Sequence, residues 1–401
     1  MWEHIRSNRI RSVILVALLG GVLLLIGYLL GVAIFGSAIA GLIIALVVWL
    51  LMNLFAYFQG DSILLSMSGA KKISRDDHPR LYDVVEEMKI ASGLEKMPDI
   101  YIIDDPALNA FATGRDRNQA SVAITSGLLQ KLNRDELQGV IAHEISHIQN
   151  RDVLLMALCS VLLGTVVILA WYGSRIMFFG GMQSSRRSSR GGGQAQLVIL
   201  AVAVILMILA PIMAQLIYFA ISRRREYLAD ASGALYTRYP EGLASALEKI
   251  AASPVELKSA NKATAPMYIV NPFRGAGRVA SDLTSTHPPI SERIRILRSM
   301  AGGASLVDYD KAYRQIHQSG KGVIPASALV GVTVHAISPK AAEKEPEKIE
   351  RARETSDLLW KFSQHSLINC ECGAKLRVPP KFKGNSIQCP HCGRVHPSPF
   401  V

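Results

Sequence analysis

Charge and aromatic rings are both scarce in this chain of 401 residues. Only 19% of positions are charged and 7% aromatic, while 50% are apolar. An ordinary soluble enzyme carries about a quarter of its residues as charged side chains, so the shortage, with a mean hydropathy of +0.24, excludes that class and implies a membrane protein. Acid is scarcer than base, 32 residues against 44, for a formal charge of +12. Cysteine is nearly absent. Of five, four stand between 370 and 392 and the fifth, Cys159, sits in an apolar run, so the body of the chain has no disulfide framework.

What is present first is long apolar runs. Val13 to Phe35, Ala38 to Phe58, Val153 to Tyr172 and Leu197 to Ile221 are each long enough to span a bilayer. Only Gly36-Ser37 parts the first two, which predicts a helical hairpin, and a cleaved signal peptide is not expected because a second span follows at once. Four spans place both termini on one side. Arg6, Arg9 and Arg11 before the first span, and Arg223 to Arg225 after the fourth, make that side the cytosol of a multi-pass protein of the cell (inner) membrane. Arg175, Arg186, Arg187 and Arg190 run against this topology, and a re-entrant or shallow later pair is the alternative.

The densest chemistry lies in His143-Glu144-Ile-Ser-His147. Four residues apart on a helix, the two imidazoles share one face and can chelate a single ion. Glu144 can take a proton from the attacking water. Asn133-Arg-Asp-Glu136 is a helix start, and with no Gly or Pro after Gly139 the helix is predicted to run on to Leu163. The third ligand is expected at Glu226, with Asp230 four residues on to accept the free ring N–H of a ligating histidine. A charged juxtamembrane turn is the bland alternative for that segment. Spacing supports the first reading: His147 precedes the third span by about 9 Å of helix and Glu226 follows the fourth by about 8 Å, which puts the ligands at one depth.

Asn109-Ala-Phe-Ala-Thr-Gly114, the HExxH run, Glu226 with Asp230, and Thr286-His-Pro-Pro-Ile-Ser-Glu-Arg293 stand in an order that resembles the HtpX-type membrane metallopeptidases, relatives of the CAAX prenyl endoproteases, over roughly the first three hundred residues. The resemblance implies a zinc-dependent endopeptidase that cleaves membrane or misfolded proteins in envelope quality control. It also places Asn109 and Phe111 beside a substrate groove, while a core role for Phe111 remains open. Two β-type runs, Pro98 to Asp104 and Ala120 to Thr125, form a small sheet whose edge can grip an extended substrate. His287, held by two prolines before a helix near Ser291, is either a donor to the developing oxyanion or a pin for that helix.

Beyond Ser299, Lys340 to Glu354 is a charged run that reads as linker or exposed helix. After it, Cys370-Glu-Cys372-Gly and Cys389-Pro-His-Cys392-Gly have the spacing of a zinc ribbon with a structural tetrathiolate. Lys375, Arg377, Lys381 and Lys383 accompany it, but aromatic residues are too few for a stacking platform, so nucleic acid is not the expected partner and a regulatory or substrate-recruiting role is.

The fold expected is a mainly α membrane protein: four transmembrane helices, a cytosolic α+β zincin-like metallopeptidase domain and a small C-terminal zinc ribbon. Its parts are a hairpin over 1–58, protease segments over 59–152 and 222–300, spans three and four over 153–221, helix and linker over 301–365 and the ribbon over 366–401. The cofactors expected are one catalytic and one structural zinc, and the partners are membrane-protein or misfolded-polypeptide substrates and the lipid bilayer. A non-catalytic membrane scaffold or holdase with structural zinc sites is the alternative.

Overall fold

A computed structural model describes residues 2–158, 201, 208, 223–258, 264–272, 287–300, 302–318, 320–329 and 346–399. Most of the third and fourth expected spans, the arginine-bearing loop between them, Cys159 and the start of the charged run fall outside these residues.

The chain opens with two long helices, α1 (Trp2–Phe35) and α2 (Ala38–Met67), joined at Gly36 and capped by Ser37. They meet at glycine. A Cβ on Gly31 would lie 2.6 Å from the Gly41 Cα, and one on Gly41 would lie 2.0 Å from the Gly27 carbonyl oxygen. Only hydrogen at these positions lets the backbones approach, the small-residue packing typical of helices in lipid. Among the described residues α2 is the one helix long and apolar enough to cross a membrane. Its apolar window is only 11% buried, and Ile43, Leu50 and Phe55 are more than half exposed, so it is not the core helix of a soluble domain.

A four-stranded sheet follows, ordered β1 (Ala70–Lys72), β2 (Asp99–Ile103), β4 (Gln119–Thr125), β3 (Ala110–Asp116). The pairs β1/β2 and β3/β4 are antiparallel and β2/β4 is parallel. The Asn109–Gly114 run that the sequence left between two strands is therefore itself the edge strand β3. Thr125 donates to the Asn109 carbonyl and Ile269 donates to the Ala110 carbonyl, so odd positions of β3 bond inward to β4 and even positions face outward.

After the short α4 (Ser126–Lys131), one face of the sheet receives α5 (Arg134–Gln149), which carries the HExxH run. The expected start signal is a capping box: Glu136 N–H donates to Asn133 Oδ1 at 2.9 Å and Asn133 N–H to Glu136 Oε2 at 2.8 Å, a cap of about 1 kcal/mol. Around α5 pack α3 (Pro79–Ser92), α6 (Arg223–Thr237) and α7 (Pro240–Ala252). Gly139 lets α7 approach, since a Cβ there would meet the Leu243 backbone at 2.6 Å. Enclosed by all of these, α5 is buried on nearly every side, His143, Glu144 and Ser146 included.

The helix does not run on to Leu163. It ends at Gln149 with Asn150 as cap, Arg151 takes a left-handed φ of 56°, and a new helical run begins at 152. No glycine or proline marks the break. A non-glycine residue in this region is uncommon, and here it redirects the chain so that Asp152 folds back onto His147.

Beyond α8 (Ile290–Arg298) and α9 (Leu306–His317), α10 (Lys348–Phe362) begins within the charged run and is a docked helix, not a linker. Leu358 is 1% exposed and joins the main hydrophobic core. Lys71 Nζ donates to the Phe362 carbonyl at 3.3 Å and Lys375 pairs with Asp357 at 2.6 Å, so α10 links the tail to the sheet. The tail is two antiparallel hairpins, β5/β6 (Ser366–Asn369 with Lys375–Val378) and β7/β8 (Ser386–Gln388 with Val395–Pro397).

Candidate active site

On α5 the four-residue spacing stacks the His143 and His147 rings edge to face, 4.9 Å between centroids. Glu226, near the start of α6, faces both: its oxygens lie 3.6 Å from His143 Nε2 and 3.8 Å from His147 Nε2. One donor atom from each of the three residues lies within 4.8 Å of the others. The apposition of α5 and α6 brings them together across the 78 residues of sequence between His147 and Glu226.

The other ring nitrogens are held in place. His143 Nδ1 lies 3.0 Å from Asp230 Oδ1, which is fully buried. His147 Nδ1 lies 3.0 Å from Asp152 Oδ2. An acceptor at Nδ1 fixes the tautomer that leaves Nε2 with its lone pair for a metal. The structure thus brings Asp230 to His143 and adds Asp152, which the sequence reading missed because it ran the helix straight through that position.

Asp230 is itself clamped by Arg293 of α8, whose Nη2 and Nε donate at 2.7 and 2.8 Å while Nη1 donates to the Ile269 carbonyl at 3.0 Å. Burial alone would raise the Asp230 carboxyl, and Arg293 outweighs it and holds it below the usual range. Arg293 closes the motif that begins at Thr286, so the signal was present in the sequence but had no assigned partner.

Four donor atoms fit a metal and its chemistry. His143 Nε2, Glu226 Oε2 and both Glu144 oxygens are buried with no hydrogen-bond partner. Orphaned groups of this kind cost about 1–3 kcal/mol each, and an ion with its bound water would satisfy them together. Burial pushes the Glu144 carboxyl up, against the pull of His143 and His147, toward the range in which a general base works at neutral pH. Burial would also raise Glu226, but His287, His143 and His147 outweigh it and keep it well below the ordinary carboxylate value, hence ionised. For His143 burial acts downward, yet Asp230 and Glu226 raise it to about 9, so a metal would displace a proton there.

The remaining expected residues divide. His287 is buried and within electrostatic reach of Glu226, with its pKa pushed down to about 4 by burial first, so it is neutral at neutral pH. Phe111 is 1% exposed and packs edge to face on Tyr268, 5.1 Å between centroids. This packing is the core role left open for Phe111, and Tyr268 in turn lines the slot beside His147 and Glu226. Asn109, just before β3, is buried with its amide donating to the Val270 carbonyl at 3.0 Å. It anchors the segment after the 3-10 turn Ala265–Met267 against β3. The residue of β3 that does line the narrow slot beside His147 and Glu226 is Ala112.

In the tail, Cys370, Cys372, Cys389 and Cys392 form a second group able to hold a metal. Cys370 Sγ lies 3.5 Å from Cys392 Sγ and Cys372 Sγ lies 3.7 Å from Cys389 Sγ. Each pair sits on a tight turn closed by Gly373 (φ 85°) or Gly393 (φ 74°), the left-handed geometry that glycine tolerates.

Residues 75–301 match peptidase family M48. The chain is 45% identical over 307 residues to a protease HtpX homolog of Dictyoglomus turgidum, covering 77% of this chain and 97% of that protein. It is 46% identical to a protease HtpX homolog of Pyrococcus furiosus, covering 73% of this chain and 96% of the relative. A crystal structure of S. mikatae Ste24p aligns with a TM-score of 0.41 and 19% identity, over 74% of this chain and 67% of that one. With nearly the whole of each curated relative accounted for at such identity, the chain belongs to peptidase family M48 and is a metalloprotease.

Proposed function

We propose that this protein is a membrane-anchored zinc endopeptidase acting on membrane-embedded or misfolded polypeptides. The observation that carries the reading is the convergence of His143, His147 and Glu226 beside a buried Glu144 whose oxygens have no partner. Three protein ligands and a free carboxylate are the donor set of a catalytic zinc site, not of a closed structural one. Bound there, zinc supplies Lewis-acid polarisation to the scissile carbonyl and the attacking water. Glu144 takes the proton from that water and returns it to the leaving amine, a shuttle that its raised pKa suits. Asp230 and Asp152 keep the two imidazoles in the ligating tautomer. His287, neutral and buried, donates to the developing oxyanion.

The substrate lies extended beside β3, where Ala112 turns its backbone groups outward and the Ala110 carbonyl is already taken by Ile269. An added strand needs an unfolded stretch of chain, which suits misfolded substrates. The exposed apolar flank of α2 supports anchorage in the bilayer, with the catalytic part on the cytosolic side. The four cysteines hold a second, structural zinc.

The test compares cleavage of a misfolded membrane protein by the wild type and by Glu144→Gln, with zinc measured in both. Retained metal and lost cleavage are expected. Equal cleavage by the two proteins would discard the assignment.

A further inference from the structure

Arg225 precedes the ligand Glu226 on α6 and is 4% exposed. A guanidinium so buried ordinarily carries a carboxylate or several carbonyls. Among the described residues its Nε and Nη1 have no hydrogen-bond partner, and Nη2 meets the Met156 thioether at 3.2 Å, a weak acceptor. The nearest described carboxylate oxygen, Asp152 Oδ1, is 3.9 Å from Nη1, beyond hydrogen-bond range, and Asp152 Oδ2 already serves His147. The cation is therefore sealed in with donors in excess of acceptors.

It also faces the reaction. Arg225 lines the slot that Ala112, His147, Met156, Glu226 and Tyr268 enclose, and the free volume there is about 10 Å³. That is room for about one water-sized atom.

We propose that Arg225 is a substrate-binding residue that donates to a single backbone carbonyl oxygen of the bound peptide, next to but not at the scissile bond. The inference rests on the endopeptidase reading and deepens it. A carbonyl acceptor is present in every peptide, so the contact gives register along β3 without side-chain preference. Arg225 is the charged donor fork for which the described surroundings offer no strong acceptor, and an incoming main chain supplies one. A role confined to orienting Asp152 would call for a direct hydrogen bond between the two, which the 3.9 Å separation denies.

The experiment uses the full-length protein in detergent and a peptide that the wild type cleaves. Amides flanking the scissile bond are converted one at a time to thioamides, whose sulfur is a poor acceptor, and kcat, KM and zinc content are measured for wild type, Arg225→Met and Arg225→Lys. The charged hydrogen bond predicts that Arg225→Met loses about 10- to 100-fold in kcat/KM, mainly through KM, with zinc retained. One thioamide position should cost the wild type about tenfold and cost Arg225→Met nothing further, and Arg225→Lys should recover part of the loss. Wild-type kcat/KM in Arg225→Met, full additivity at every thioamide position, or loss of zinc in the variant would each overturn the proposal, the last by making Arg225 a prop for the His147 pair. Failure of the underlying reading looks different: the wild type would not cleave, or Glu144→Gln would cleave as well as it does.

Discussion

The two clusters of candidate metal donors among the described residues are built on opposite plans. In the protease part three donors come from two helices, are shielded from water, and leave Glu144 and one oxygen of Glu226 without partners. In the tail four sulfurs come from two turns, face one another, and stand on hairpins with little core, only Cys370, Leu376 and Cys389 being buried together. The first site is held by the fold around it and keeps chemistry in reserve. The second has all its donors in the cluster, and a metal there would be its core. The difference teaches that an open donor set needs a large scaffold to support unsatisfied groups, whereas a closed set can itself support a small fold.

The contrast predicts unequal responses to metal loss, and this is the largest effect expected. Cys389→Ser, or a chelator, should unfold residues 366–399, since coupled folding and metal binding in such modules involve about 10 kcal/mol. Hydrogen exchange should rise across the tail and stay unchanged over α5; protection that survives in the tail would show that the hairpins fold on their own. Next in size is the chemistry. Glu144→Gln should lower kcat by about 10³- to 10⁴-fold with zinc and denaturation midpoint unchanged, because the side chain keeps its shape and loses only the proton transfer.

The third prediction strikes the scaffold. Arg293→Met leaves the fully buried Asp230 without its cation and should destabilise the protease part by about 3–5 kcal/mol in chemical denaturation. A variant as stable as the wild type would show that His143 alone suffices to hold Asp230.

The smallest effect separates two kinds of buried imidazole. His78 caps α3 by accepting from Leu81 N–H through Nδ1 at 3.2 Å, and burial, with Arg80 nearby, pushes its pKa down to about 4. The depressed value means that the unfolded chain binds the proton first. Stability from this group is therefore present above pH 6.5, falls as pH drops toward 4, and totals roughly 3 kcal/mol. His78→Asn, which keeps a cap acceptor, should flatten the stability profile between pH 6.5 and 4; an unchanged profile would place the titration elsewhere.

Much of the candidate site was legible in the sequence. The spacing of His143 and His147, the Asn133 start signal and the four-residue step from Glu226 to Asp230 follow from helical periodicity and capping rules, which act over a few residues. The break at Arg151 was not legible because the break lacks glycine and proline, and Asp152 was missed with it. The run from Ala110 to Asp116 was not read as a strand, and the alternation of its sides was fixed only by its register with β4. The tail's cysteine pairs were plain, yet nothing in the charge-rich α10 announced that Leu358 would enter the protease core.

By itself, then, the sequence determined the local constellations: two imidazoles on one helical face, paired cysteines at glycine turns, apolar runs too long for water. Only the tertiary structure decided which groups complete them, setting the distant Arg293 on Asp230, the nearby Asp152 on His147 and Arg225 beside the slot. The reason is physical. Backbone geometry repeats every few residues and can be read along the chain, but a contact between remote helices exists only once the core they share has closed around it.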